Sequence, residues 1–288
     1  MTADMLPDFL CIGAQKAGTT WLHHNLKDHP EVWLPPVKEL HYFDYPHRTP
    51  LICKVAGSTR HHSRARAEVR QFLSVLTQPA LRSWHRRFLF HPRDDRWYAS
   101  LFAPAPEQIS GEMTPGYATL SDSSVAHVHA LFPDLKIILL LRNPIHRIWS
   151  AAAMHFSKRG YRSLDDVDVP RLLNYFRESG PRKRSDYLRT LDTWEAYFEP
   201  RQMFIGFFDQ LEQAPGLLLK EICRFLAIDD AAVHTPEYVN EKLNARSYPQ
   251  MPPGILEYLI RCYGDQIQQL HQRFSNEYTA AWLRSIKA

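Results

Sequence analysis

The stretch "FLCIGAQKAGTTWLHHNL", Phe9 to Leu26, decides how the rest of the chain is read. An apolar run enters Gly13, a short turn follows, and Gly18 opens a segment of helical character, the strand-turn-helix frame of a phosphate-binding loop. The cation is displaced. In G-x-x-x-x-G-K-[ST] the lysine follows the second glycine and precedes a magnesium-binding hydroxyl, whereas here Thr19 and Thr20 follow Gly18 and Lys16 lies inside the turn. The turn and the helix N-terminus offer unpaired amides and the positive end of a helix dipole. With the Lys16 ammonium and two hydroxyls, three kinds of oxyanion donor converge; Gly-x-x-x-x-Gly alone is equally a plain strand-to-helix turn.

A second apolar run, "KIILLLRNP", ends in Arg142. A P-loop NTPase usually carries a metal-holding aspartate at that place, so a cation stands where a metal ligand is expected. Asn143 suits the cap of a following helix and Pro144 its first position, which sets Arg142 beside a second helix N-terminus with Ser150 two turns along. In isolation Arg142 reads as a structural salt bridge. Paired with the loop it makes a second anion site, and two separated anion sites without a metal ligand suit a nucleotide charged at both its 5′ and 3′ ends.

Further strand patterns are Gln108 to Glu112 and Gln202 to Phe208, short, nearly continuous apolar runs of the kind covered on both faces. Helical patterns lie at 19–28, 63–76, 121–131, 144–157, 186–197 and 210–226. The alternation predicts an α/β fold: a P-loop-NTPase-like, three-layer arrangement with a central, mainly parallel β-sheet flanked by helices and ligands at the strand C-termini. No repeat or flexible linker divides residues 1–288, so one domain is expected. The segment 54–97 has little strand character and many arginines; it reads as a solvated helical insertion, or as a wall facing an anionic substrate.

Composition bounds the partners. The chain has 288 residues, 44% of them apolar, and a formal charge of +4, a mild excess that favours anionic ligands without the dense basic stripe of a nucleic-acid binder. Cys11, Cys53, Cys223 and Cys262 form no C-x-x-C pair and are expected to be buried free thiols. Neither a leader pattern nor a membrane-spanning apolar run is present, which points to a cytoplasmic setting.

The motifs together resemble the sulfotransferases that use 3′-phosphoadenosine 5′-phosphosulfate (PAPS). "GAQKAGTTW" is similar to their 5′-phosphosulfate loop and "LLLRNPIHRIWS" to their 3′-phosphate motif, and the likeness extends weakly through "DYLRTLDTWEAYF" and "LLLKEICRFLAI". The resemblance implies that Gln15, Lys16, Ala17, Gly18, Thr19 and Thr20 hold the 5′ end, with Lys16 neutralising the leaving phosphate oxygen. It implies that Arg142 and Ser150 hold the 3′-phosphate, that Trp21 stacks on adenine, for which a core role is the alternative, and that Arg246 closes over the nucleotide.

"PPVKELHYFD" resembles the segment of the heparan-sulfate branch in which a glutamate takes the acceptor's proton. An extended segment after Pro35 and Pro36 would project Glu39 and His41 to one face and Lys38 and Leu40 to the other, so Glu39 is the expected base and His41 its orienting partner. "GEMTPGY" departs from the pattern, because Met113 replaces a substrate-binding lysine, which speaks against a polyanionic glycosaminoglycan. Glu112 and Tyr117 are left as acceptor-site candidates, Glu112 alternatively serving to hold the loop. The implied activity is sulfuryl transfer to the hydroxyl of a carbohydrate or small molecule, with PAPS as cosubstrate, no metal and no nucleic-acid partner. The rivals are a P-loop kinase-like phosphotransferase and a non-enzymatic basic protein that binds RNA or another polyanion.

Overall fold

The computed structural model describes residues 6–44, 50, 51, 69, 73, 74, 77–231, 239 and 249–287. Five strands, β1 (Phe9–Gly13), β2 (Val32–Trp33), β3 (Ile109–Met113), β4 (Lys136–Leu141) and β5 (Met203–Phe207), form one sheet in the order β2-β3-β1-β4-β5. Each neighbouring pair is parallel. All five residues of β1 are buried, as are the last five of β4, which is why both read as unbroken apolar runs: a parallel strand covered by helices on both faces has no polar side.

The helices are α1 (Thr19–Leu26), α2 (Pro79–Phe90), α3 (Asp95–Ala99), α4 (Asp122–Leu131), α5 (Pro144–Ser157), α6 (Val169–Arg177), α7 (Ser179–Lys183), α8 (Tyr187–Glu195), α9 (Phe208–Gln213), α10 (Pro215–Leu226), α11 (Pro253–Phe274) and α12 (Glu277–Ser285). A short 3-10 turn, Pro115–Thr119, follows β3. This is the α/β, P-loop-like architecture expected from the alternation of patterns. The chain leaves β1 for the edge strand β2, returns through β3, and then crosses to β4 and β5 on the other side of β1. β1 therefore ends where the winding changes direction, and the crevice outside the strand C-termini opens there. The ends of β1, β3 and β4 stand side by side at that opening.

Several expectations need correction. The helix expected over 210–226 is two helices, because Pro215 has no amide to continue α9 and instead starts α10 at its first turn. Within the arginine-rich segment α2 is not merely solvated: Trp84, His85, Phe88 and Leu89 are buried, and the Trp84 indole donates to the Leu101 carbonyl at 2.7 Å. Cys11 and Cys223 are buried free thiols, whereas Cys262 is exposed on α11; Cys53 and most of the helix expected over 63–76 lie outside the described residues. No described helix is long and apolar enough to cross a membrane.

Candidate functional site at the strand C-termini

The loop after β1 is shaped by two left-handed residues, Lys16 at φ 72° and Gly18 at φ 98°. Alternation of this kind turns successive amides toward one centre, an anion-binding concavity. Gly18 is the N-cap of α1 and supplies no side-chain acceptor, and no acidic residue lies in the first turn. The first amides of a helix have no intrahelical acceptor, so those at the head of α1 remain available to an anion. Six described helices are closed by a side-chain oxygen of Asp94, Ser121, Asn143, Asp168, Asp186 or Asn276, whereas α1, like α2, α7, α9, α10 and α11, has no such cap. Ala17 and Thr19 are buried, Gln15 and Lys16 half-buried, and Thr20 exposed at the rim. The loop is tied to the sheet on both sides, the Ala14 amide donating to Leu140 O at 2.7 Å and the Thr114 amide to Cys11 O at 3.1 Å. Burial pushes the Cys11 thiol up to about 12, so it is no nucleophile.

Arg142 follows the last residue of β4 and leans back over this loop. Its Nη1 donates to the Lys16 carbonyl at 3.1 Å, and its guanidinium lies 4.1 Å from the centre of the Phe208 ring at the start of α9. Asn143 caps α5 through the Ile145 amide at 3.0 Å. Ser150 is on the same helix and buried. Trp21 is buried as well, and its indole donates to the Val239 carbonyl at 2.7 Å; its ring belongs to the core cluster. Arg246 lies outside the described residues.

The segment bearing Glu39 and His41 crosses the neighbouring edge of the site. Glu39 Oε2 and His41 Nε2 are 3.3 Å apart, and His41 Nδ1 lies 2.7 Å from Asp44 Oδ2. Both ring nitrogens thus face carboxylate oxygens, which accept, and both contacts are hydrogen bonds when the ring carries both protons. The two residues do meet, but not by extension as the sequence suggests: Glu39 has φ 66° and His41 φ 54°, and the buried Leu40 between them is the residue that turns inward. Lys38 reaches the other way, its ammonium donating to Thr20 Oγ1 at 3.0 Å. Burial lowers the Lys38 pKa, while the Glu39 charge works to raise it.

At the end of β3, Glu112 is buried. Its Oε1 accepts from Tyr98 Oη at 2.8 Å and Tyr117 Oη at 2.7 Å; its Oε2 accepts from Thr114 Oγ1 at 2.7 Å and from the Leu40 amide at 3.1 Å. Burial raises its pKa against the pull of these four bonds. The two tyrosines titrate far above their usual range, first because they are buried and next because they face this carboxyl. Met113, paired across the sheet with Cys11, is also buried.

The tertiary structure thus joins Lys16 to Arg142, Thr20 to Lys38, and Glu39 to His41. Asp44 and Lys38 were not singled out from the sequence, although both lie in the quoted "PPVKELHYFD"; the signal was Asp44 at i+3 from His41. Phe208 and Arg93 carried no signal, since an aromatic at a strand end and one arginine among many are ordinary.

Residues 7–232 match the model of the sulfotransferase family. Among curated proteins, the bifunctional heparan sulfate N-deacetylase/N-sulfotransferase 3 of Homo sapiens is 25% identical over 248 residues, covering 79% of this chain and 23% of its own length. The membrane-associated sulfotransferase kil1 of Dictyostelium discoideum is 24% identical over 156 residues, 53% of this chain and 23% of its own. The chain spans less than a quarter of the length of either relative. Among solved structures, a sulfotransferase from Alicyclobacillus acidocaldarius superposes with a TM-score of 0.65 at 21% identity, over 96% of this chain and 98% of that one; at that identity the likeness is one of fold.

Proposed function

Since the chain belongs to the sulfotransferase family, we propose that it moves the sulfuryl group of PAPS to the hydroxyl of a carbohydrate or small-molecule acceptor. The observation that carries this reading is the Arg142 guanidinium bonded to the Lys16 carbonyl in the loop that opens α1, a helix N-terminus left without a side-chain cap, with a carboxylate-imidazole pair on the adjoining segment. In this reading the loop amides, Lys16, Thr19 and Thr20 hold the 5′-phosphosulfate, and Arg142 with Ser150 holds the 3′-phosphate. Gln15 and Ala17 contribute backbone. Glu39 takes the proton of the acceptor hydroxyl, whose oxygen bonds to sulfur as the bond from sulfur to the 5′-phosphate oxygen breaks. Asp44 holds the His41 ring, and His41 orients Glu39.

Lys16 neutralises the charge that appears on the departing phosphate. A sulfuryl group carries less negative charge than a phosphoryl group, so fixed amides and cations supply the stabilisation by position alone. Lys38, bonded to Thr20 beside Glu39, brings a further positive charge to the edge between donor and base. Met113 is apolar and buried, which argues against a polyanionic acceptor. The chain has its acceptor specificity in the segment around Glu39 and in the parts of the site that face it.

Titration calorimetry with adenosine 3′,5′-bisphosphate (PAP) and with Mg-ATP tests the donor. PAP is expected to bind and Lys16→Ala to abolish it; tight Mg-ATP binding without PAP binding would return the chain to a phosphotransferase. Mass spectrometry of a cell extract incubated with isotopically labelled PAPS then identifies the acceptor. Glu39→Ala is expected to reduce turnover about 10²- to 10⁴-fold, the usual contribution of a general base. Undiminished sulfation in that variant removes Glu39 as the base.

A further inference from the structure

Glu39 and His41 are both left-handed, at φ 66° and 54°, a conformation that residues with a side chain adopt only where their surroundings over-determine it. The explanation lies in three side chains from distant parts of the chain. The Leu40 amide donates to Glu112 Oε2 at 3.1 Å, and the Leu40 and His41 carbonyls both accept from Arg93 Nη2, at 2.9 and 2.6 Å. The Tyr42 amide donates to Tyr117 Oη at 2.9 Å, and that hydroxyl donates onward to Glu112 Oε1 at 2.7 Å. Four backbone groups of Leu40–Tyr42 are thus bonded by side chains.

These side chains are not placed to meet a substrate. Glu112 is 2% exposed, Tyr117 0% and Arg93 5%, and the Glu112 carboxylate already accepts four bonds, about the full capacity of its lone pairs. The acceptor-site role considered for Glu112 and Tyr117 is therefore not what their environment offers. We propose that Glu112, Tyr117 and Arg93 are positioning residues for sulfuryl transfer, a buried clamp that holds the Leu40–Tyr42 backbone in the left-handed turn setting Glu39 against His41. This rests on the assignment of Glu39 as the base. The clamp stands beside the donor loop, because β3, which carries Glu112, is paired with β1, which leads into that loop.

Tyr117→Phe is the direct test, since it keeps the ring and removes the hydroxyl that bridges the Tyr42 amide and Glu112. Expected is a fall in kcat of about tenfold to a hundredfold, the scale on which a small displacement of a catalytic group acts. PAP affinity and Tm should stay close to wild type. Hydrogen exchange at the Leu40 and Tyr42 amides should quicken in the variant, a change independent of turnover. Arg93→Lys, which loses the guanidinium fork, is the second variant should Tyr117→Phe not fold, with the same expectations. Glu112→Gln, which keeps an acceptor for the Leu40 amide, should lose less than either.

Full kcat with unchanged exchange in Tyr117→Phe overturns the clamp. A loss of kcat matched by equal losses of PAP affinity and Tm overturns it too, because the residue is then merely structural. A wild-type protein that neither binds PAP nor transfers a sulfuryl group overturns the proposed function and this inference with it. Binding and transfer by the wild type beside a fully active Tyr117→Phe variant overturns this inference alone.

Discussion

A methyl group on Gly116 would stand 2.4 Å from Asp44 Oδ2 and 3.4 Å from His41 Cε1. Gly116 lies in the 3-10 turn after β3, and its missing side chain is what lets Asp44 approach the imidazole at 2.7 Å. Gly116→Ala must push the Asp44 carboxylate away. A hydrogen bond to a charged group contributes about 1.5–3 kcal/mol, and losing about half of it in the transition state lowers kcat roughly tenfold. Steady-state kinetics and a thermal melt should show the fall in kcat with little change in Tm; unchanged kcat would mean that Asp44 does not hold His41 for catalysis. At this scale much was legible. Lys16 inside the glycine turn and Arg142 at the end of an apolar run announced themselves because their residue types contradict the metal-binding pattern. The left-handed backbone of Lys16, Glu39 and His41 was not legible, since lysine and glutamate rarely adopt it and histidine, although enriched there, does so too seldom to mark a place.

Some elements whose ends carry their own chemistry were read closely, whereas α6 and α12, capped by Asp168 and Asn276, were not read at all. Pro144–Ser157 is helical as expected, with Asn143 as its cap. Asn143 is buried and adjoins Arg142, so its loss acts on stability and site together. Asn143→Ala should cost about 0.5–2 kcal/mol, the range for a lost N-cap, seen as a lower urea midpoint; PAP affinity should fall with it as the α5 N-terminus frays under Arg142. Wild-type affinity in a destabilised variant would separate α5 from the nucleotide site. The long helix α11 escaped notice although Ile255, Leu259, Tyr263, Ile267 and Leu270 form its buried stripe. Each such buried aliphatic contributes about 1.5–3 kcal/mol, but the stripe is diluted by the glutamines, arginines and histidine of the exposed face. The edge strand β2 has only two residues, Val32 and Trp33, too few for any periodicity to show.

For the molecule as a whole, His23 ties stability to pH. It lies on α1, which follows the glycine-bounded loop, and burial, then the Lys38 charge, lower its pKa from 6.5 to about 4. Above pH 6.5 the imidazole is neutral in both folded and unfolded chains and adds no pH dependence. Between 6.5 and about 4 the unfolded chain binds a proton that the folded one refuses, so stability falls as the pH falls. Urea midpoints at pH 7 and pH 5 should therefore differ less for His23→Gln than for the wild type; an equal difference in both would assign the acid sensitivity elsewhere.

The sequence by itself determined the strand-turn-helix frame, the displaced cation of the cradle, the arginine at the end of β4 and the order of the apolar strands. These follow from short-range rules: the spacing of glycines, the type of residue at a strand end, and the run of side chains that parallel strands bury on both faces. Only the tertiary structure decided that Glu39 and His41 meet through left-handed turns, that Glu112 is buried and bonded to the Leu40 amide, and that Lys38 faces Thr20. The partners that impose the turn, Arg93, Glu112 and Tyr117, lie 52 to 75 residues along the chain from the atoms they hold. They become neighbours only when β2, which leads into the Leu40 segment, pairs with β3 and the intervening helices pack beside them, because a buried backbone group takes whichever partner the packed fold brings within reach, and no local pattern records that choice.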